Sequence, residues 1–151
     1  MKYLLAPLTI FLLLLTACGG SKPGTSTSSD RPFDPERDRR ELIGTTWTAT
    51  QIFGEDVSAP DGRRAPYLTF TADGRVQGHT GCNPINGNYT LEEGLRIRFE
   101  QMTTGLAFCQ DVPYETNFKE VLNTADNFTV REGELRLNKA RMAALAVFEA
   151  E

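Results

Sequence analysis

The 151-residue sequence has a single His and only three Cys. Zinc frameworks built from repeated C-x₂-C pairs need more of these ligands, so that class of site is excluded. An excess of positive charge is also absent, because the formal net charge is −4, and this argues against nucleic-acid binding through basic charge. The sequence contains no Gly-rich phosphate loop, no G-x-S-x-G elbow and no H-E-x-x-H motif. We therefore predict a protein that is not an enzyme, with no catalytic residues, no metal site and no cofactor.

The longest apolar run is too short to span a membrane. Residues 3–15 are almost wholly apolar and follow Lys2, whereas a spanning helix needs about 20 apolar residues. A run of this length is typical of a signal-peptide hydrophobic region. It ends in Leu15-Thr16-Ala17-Cys18, which resembles the bacterial lipoprotein box. We predict a signal peptide at 1–17 and lipidation of Cys18, the alternative being an ordinary secretory signal cut near Ala17 with a free thiol at Cys18.

The lipoprotein resemblance implies acyl chains on Cys18, such as palmitate, and therefore a lipid-anchored protein of the cell envelope. Gly19, and not Asp, follows the cysteine, which favours the outer membrane, facing the periplasm, over the inner membrane. Residues 19–30 are rich in Gly, Ser and Thr, and residues 31–40 are charged with two prolines. Such composition is typical of a flexible linker. We predict that residues 18–40 form the lipidated Cys and a tether, and that residues 41–151 form one domain.

The remaining sequence predicts mostly strands. Leu95, Ile97 and Phe99 alternate with exposed arginines at the two-residue period of a half-buried strand. Other strands are predicted at 45–53, 67–71, 75–79 and 88–91, with a hairpin that turns at Glu132-Gly133. Residues 142–148 are apolar on both faces, which predicts a covered strand, with a short helix as the alternative. One helix is predicted at about 112–125, because Phe118, Val121, Leu122 and Ala125 share a face and Asp111 can cap it. The predicted class is α+β, mainly antiparallel β, a small barrel-like curled sheet with one inserted helix.

Three short motifs carry a family resemblance. They are Gly81-Cys82-Asn83, then Gly87-Asn88-Tyr89-Thr90, then Met102 separated by six residues from Cys109. With Trp47 in the opening strand, this pattern resembles the META domain, the HslJ-like family of bacterial envelope proteins, across 41–151. The resemblance implies a small barrel-like fold with an inserted helix, and it implies no established catalytic activity. The chain departs from the family pattern at Pro84-Ile85, where the family often has Arg-Phe, and at Leu106, where the family often has Arg.

The two cysteines of the domain predict a disulfide. An exported protein meets oxidising conditions, so Cys82 and Cys109 are expected to pair. The two cysteines are 27 positions apart, and closing the loop between them stabilises the folded state by roughly 3–4 kcal/mol in the chain-entropy model. His79, Cys82 and Cys109 form an alternative metal-ligand set, but it lacks a fourth ligand and the disulfide would consume its thiolates.

Aromatic residues are numerous enough to fill one small core, with a few left over. The side chains around Phe108 predict an exposed apolar patch or the mouth of a pocket, so we predict a binding surface at Pro84, Ile85, Leu106 and Phe108. The resulting hypothesis is a monomeric, membrane-anchored envelope module that binds an unknown envelope protein and no nucleic acid, in stress tolerance or assembly. The alternatives are a small apolar-ligand carrier with a lipocalin-like interior, or an inhibitor of a secreted hydrolase such as lysozyme, acting through the polar loop 54–66.

Overall fold

A computed structural model describes residues 33–59, 62–110 and 112–151. The predicted signal peptide, lipidated Cys18 and helix cap Asp111 lie outside these residues. Two helices and nine strands are present in the described part, in the order α1 Pro35–Leu42, β1 Thr46–Ile52, β2 Glu55–Asp56, β3 Tyr67–Phe70, β4 Arg75–His79, β5 Pro84–Leu91, β6 Ile97–Thr104, α2 Glu115–Thr124, β7 Asn127–Arg131, β8 Glu134–Asn138 and β9 Ala144–Ala150.

The strands form one antiparallel, curled sheet. The strand order is β6-β5-β4-β3-β1-β9-β8-β7, and the short β2 pairs with β1. Most neighbouring strands in this order are joined by hairpin turns. Turn dipeptides such as Asp73-Gly74 supply the positive φ that a tight turn requires, and Gly74 has φ +82°. The predicted class, α+β and mainly antiparallel β with a curled sheet, is confirmed. Within the described ranges, no helix is long and apolar enough to cross a membrane.

The two end strands of the sheet approach one another, and we call this junction the β6–β7 seam. Arg96 pairs with Asn127 there in an antiparallel bridge. The Ile97 N–H donates to the Asp126 carbonyl (3.1 Å), and the Phe128 N–H donates to the Leu95 carbonyl (2.9 Å). The sheet therefore curls far enough for its first and last strands in the order to exchange backbone hydrogen bonds.

The interior of the curled sheet is filled with side chains. Residues of β3 and β7 alternate between buried and partly exposed, as a strand with one covered face requires. Helix α2 adds Phe118, Val121 and Leu122 to the same core. The largest fully buried side chains are those of Trp47, Phe70, Phe118, Phe128 and Phe148.

Helix α1 lies across the seam. Its Asp38 carboxylate is fully buried and accepts from the Val130 N–H (3.2 Å) and from the Arg131 guanidinium. Its Arg39 guanidinium donates to the Gly94 carbonyl (2.8 Å) and to the Glu92 carbonyl, both in the turn between β5 and β6. Helix α1 therefore contacts both β7 and the β5–β6 turn, which lie at opposite ends of the strand order.

This helix corrects the predicted domain boundary. The tether was predicted to run to residue 40, but residues 35–40 belong to a helix capped by Asp34, whose side chain accepts from the Arg37 N–H (3.2 Å). The folded unit therefore begins before Glu41, and the fold contains a second helix that the sequence did not predict. The sequence gives no helical pattern here because α1 has few apolar residues. The helix packs through Leu42 and through the contact of Asp38 with Arg131, which is distant in the sequence.

Other boundaries also differ from the prediction. Helix α2 begins at Glu115, with Tyr114 at the N-cap position and no side-chain capping bond. Strand β5 begins at Pro84, and β6 continues to Thr104 through a bulge at which Gln101 has φ +52°. Met142, predicted within a covered strand, is 67% exposed and precedes β9.

Candidate functional site

The structure contains the Cys82–Cys109 disulfide that the sequence predicted, with a Cα–Cα distance of 5.8 Å. It joins the connection between β4 and β5, residues 80–83, to the segment that leads into α2. We call residues 80–83, 105–110 and 112–115 of these segments the disulfide corner. Both sulfurs of the alternative metal-ligand set are used in this bond, and a disulfide leaves no thiolate for a metal.

Asn83 organises the disulfide corner. Its side chain is 3% exposed. Its Nδ2 donates to the Ala107 carbonyl (2.8 Å) and to Glu115 Oε1 (2.9 Å), while its Oδ1 accepts from the Ala107 N–H (2.9 Å). The Asn83 amide therefore satisfies both the N–H and the carbonyl of Ala107, as a residue of a paired strand would. These bonds hold residues 105–109 in place although these residues form neither a helix nor a strand.

Thr80 extends the hydrogen-bond network of Asn83. Its fully buried hydroxyl donates to Glu115 Oε1 (3.0 Å) and accepts from the Asn83 N–H (2.9 Å). Glu115 is the first residue of α2, where a carboxylate interacts favourably with the helix dipole. The β4–β5 connection, the loop and the start of α2 are therefore linked through one carboxylate oxygen.

Gly105 leaves the space that this network occupies. A Cβ built at Gly105 would lie 2.5 Å from Asn83 Oδ1, which is too close for any side chain without displacing the amide. Gly81, at φ +90°, would place a Cβ 3.0 Å from the Tyr114 hydroxyl. The chain can therefore pass close to Asn83 and Tyr114 only because these positions lack a side chain.

The loop held by this network exposes two large apolar side chains. Leu106 is 99% exposed and Phe108 is 90% exposed. Pro84, also predicted for the binding surface, is exposed at the start of β5. Ile85 was predicted to join them, and this is wrong: it is 2% exposed and belongs to the core, because side chains alternate along β5 and Pro84 points outward.

A small pocket lies beside the disulfide corner. Its volume is about 250 Å³, and its lining residues are Arg63, Arg64, Tyr67, His79, Gly81 and Cys82. The Arg64 guanidinium lies 4.4 Å from the centre of the Tyr67 ring, and the Tyr67 and His79 rings stack at 6.4 Å with 10° between their planes. We call this the Arg63 pocket.

Tyr114 connects the pocket to the disulfide corner. Its hydroxyl donates to the Ser58 carbonyl (3.2 Å), in the loop that precedes Arg63. Burial raises the pKa of the Tyr114 hydroxyl, and the Arg63 guanidinium opposes that rise.

The sequence predicted a polar loop at 54–66, which contains Arg63 and Arg64, but it did not predict the pocket that these residues form with Tyr67. Two adjacent arginines before a tyrosine, in an acidic domain, were the available signal. The prediction of no metal site concerns the whole chain; among the described residues, no three His, Cys, Asp or Glu side chains converge as a metal site would require.

Comparison with known proteins gives a family and a fold. A family model described as the META domain matches residues 40–151. Two solved structures are similar: the NMR structure of a protein from Burkholderia xenovorans, at 20% identity and TM-score 0.62, covering 87% of this chain and 98% of that one, and a DUF4847 family protein from Bacteroides vulgatus, at 16% identity and TM-score 0.52, covering 72% of this chain and 92% of that one. At these identities the likeness shows the fold alone. No curated protein matches the sequence.

Proposed function

Because the chain belongs to the META domain family, which it matches over residues 40–151, we propose that it is a non-enzymatic binding module of the cell envelope. In this proposal a lipid on Cys18 holds the protein at the outer membrane, facing the periplasm, and the domain acts as a monomer. The loop of the disulfide corner docks a protein partner.

The exposure of Leu106 and Phe108 on a fixed backbone carries the docking proposal. An isolated exposed apolar residue is ordinary, but two nearly complete exposures two residues apart on one loop are a candidate anchor. Aromatic anchors dominate binding energy at protein interfaces. Cys109 and Asn83 hold the loop before any partner arrives, so binding loses less conformational entropy.

The filled interior argues against the carrier alternative. A lipocalin-like carrier needs an apolar chamber of a few hundred Å³. Here the concave side of the sheet holds the core side chains, including those of Trp47, Phe70, Phe118, Phe128 and Phe148. The larger depressions of the surface, of about 590 and 520 Å³, have linings that include the charged residues Arg136, Glu134 and Glu149.

Site-specific crosslinking in cells tests the docking surface. A photoreactive phenylalanine at position 108 should form a discrete adduct with one envelope protein, and Leu106→Ser should reduce its yield several-fold. The matched control is the same photoreactive residue at Met142, another exposed apolar position, in the turn before β9. An identical adduct pattern from both positions, or none from position 108, would refute docking through this loop.

The lipid anchor is tested separately. Intact-mass analysis of the mature protein should show an acylated Cys18 as the first residue. Cys18→Ala should remove the acyl mass, because alanine has no thiol to carry the lipid. An unmodified N-terminus at another residue would refute the anchor and leave the docking proposal standing.

A further inference from the structure

The Arg63 pocket concentrates positive charge on an acidic domain. Residues 41–151 contain 10 basic and 16 acidic side chains. Two adjacent arginines nevertheless line one pocket of about 250 Å³, together with the Tyr67 and His79 rings. The hydrogen-bond donors of the pocket, mainly the two guanidinium groups, therefore outnumber its hydrogen-bond acceptors, and this favours an anionic ligand.

Arg63 has no carboxylate partner in the described part of the chain. Its Nη1 lies 2.7 Å from Cys109 Sγ, and disulfide sulfur is a weak acceptor. A guanidinium carries five N–H donors in a planar fork that matches a carboxylate. The contact with Cys109 therefore positions Arg63 at the disulfide corner and leaves most of its donors for another group.

On the other side of the pocket, Arg64 binds a carboxylate of the chain itself. Arg64 Nη2 lies 3.2 Å from Glu151 Oε2, while the same guanidinium stacks on the Tyr67 ring. His79 Nδ1 accepts from the Gly81 N–H (3.0 Å), so Nε2 carries the hydrogen of the neutral ring and is a further donor. The two rings add an apolar wall to these donors.

We propose that the Arg63 pocket binds one carboxylate group of a partner polypeptide, with Arg63 as the principal contact and the Tyr67 and His79 rings packing against the adjoining carbon atoms. The pocket is smaller than the sites of about 300–1,000 Å³ that enclose drug-sized ligands, so it fits a single side chain or a chain end. This inference rests on the proposed function, because Arg63 contacts Cys109, the neighbour of Phe108, and so borders the same docking face.

Benzoate and benzamide form a matched pair of probes. They share a ring and differ in charge, so NMR titration of the isotopically labelled full chain, in non-ionic detergent, separates the carboxylate from the ring. We expect benzoate to shift the Gly81 amide and the Arg63 side-chain signal in a saturable manner that weakens with added salt. Benzamide at equal concentration should produce less than about a tenth of the shift.

Arg63→Gln should weaken benzoate binding by about tenfold or more, the loss expected for one charge-assisted hydrogen bond. The control is Arg141→Gln, which removes the same charge from an exposed position outside the pocket and should leave benzoate affinity within about twofold. Equal shifts with benzamide, or unchanged benzoate affinity in Arg63→Gln, would overturn the proposal.

Two short peptides then identify the source of the carboxylate. One is amidated and contains a single internal Glu; the other is neutral with a free carboxyl end. Displacement of benzoate by either peptide supports a polypeptide ligand and names its group, whereas displacement by neither overturns it. Leu106→Ser should leave benzoate affinity unchanged, so loss of crosslinking at position 108 with intact benzoate binding would refute the docking proposal alone.

Discussion

The disulfide corner and helix α1 both attach a segment outside the sheet through a buried polar side chain, but they differ in what supports that side chain. Asn83 is neutral, and the corner is closed by the Cys82–Cys109 bond. Asp38 is a carboxylate that accepts from the Val130 N–H and from Arg131, with no covalent link to the sheet.

The difference follows from what each segment buries. Helix α1 ends in Leu42, which is fully buried and accepts the Trp47 indole N–H through its carbonyl (3.0 Å). Leu106 and Phe108 are exposed and no side chain of residues 105–110 is buried, so this part of the corner has little apolar contact with the core. The helix, which has its own apolar anchor, is held by packing and by non-covalent polar contacts alone. The loop, which presents its apolar side chains outward, has a covalent bond in addition to the hydrogen bonds of Asn83.

Removing the disulfide should have the largest effect on stability. Cys82→Ala with Cys109→Ala should lower the free energy of unfolding by about 3–4 kcal/mol, because the unfolded chain is no longer closed between positions 27 apart. Chemical denaturation measures this loss. Reductant should lower the stability of the wild type to that of the double variant and leave the variant unchanged; a wild type indifferent to reductant contradicts the prediction.

Asp38→Ala should have the next largest effect. We expect a loss of about 2–3 kcal/mol, because the variant leaves the buried Val130 N–H without its acceptor and Arg131 without its partner. Arg131 is partly exposed and can be solvated, which limits the loss. Denaturation of the single variants and of Asp38→Ala with Arg131→Ala gives the coupling energy. Strict additivity would show that the pair does not hold α1.

The smallest effect concerns acid at the seam. Asp126 precedes β7, and its pKa is lowered mainly by the hydrogen bond from the Ala140 N–H, with Asn127 and Lys139 adding to the effect and burial opposing it. A lowered folded-state pKa means that the carboxylate stabilises the fold above its unfolded value of about 3.9 and that this contribution is lost as pH falls through the folded value.

Asp126→Asn should therefore lower stability near neutral pH, by less than about 1 kcal/mol, because the carboxylate is partly exposed and its interactions are screened by solvent. The Tm difference between wild type and variant should shrink as the pH falls below the unfolded value and through the lowered folded-state pKa of Asp126. A difference that stays constant over this range would show that the side-chain shape, and not its charge, holds the turn that contains Ala140.

The sheet could be predicted because its signals are local. Alternation along Leu95, Ile97 and Phe99, and turn dipeptides such as Asp73-Gly74, depend on neighbouring residues, and the structure places strands and a turn there. The Cys pairing followed from there being only two cysteines in the domain. The signals for β7 and β8 were similarly local, with Val130 and Leu135 buried on each side of their turn.

The parts that could not be predicted depend on distant partners. Asp38 is buried only because Arg131 lies 93 positions away in the sequence and beside it in the fold. Ile85 lies between Pro84 and Asn86, so no alternation of apolar residues around it indicated whether its side chain points into the core or to the surface. The Arg63 pocket requires β3, β4 and the disulfide corner to meet, which no spacing in the sequence specifies.

Helix α1 also shows that the region recognisable by family membership and the region that folds as a unit are not the same length. The matched region starts at residue 40, so a fragment trimmed to it would lose Asp38 and Arg39 and with them the strap between β7 and the β5–β6 turn. Such a fragment would retain every recognisable motif of the domain and yet lack the piece that fastens the two ends of the sheet together.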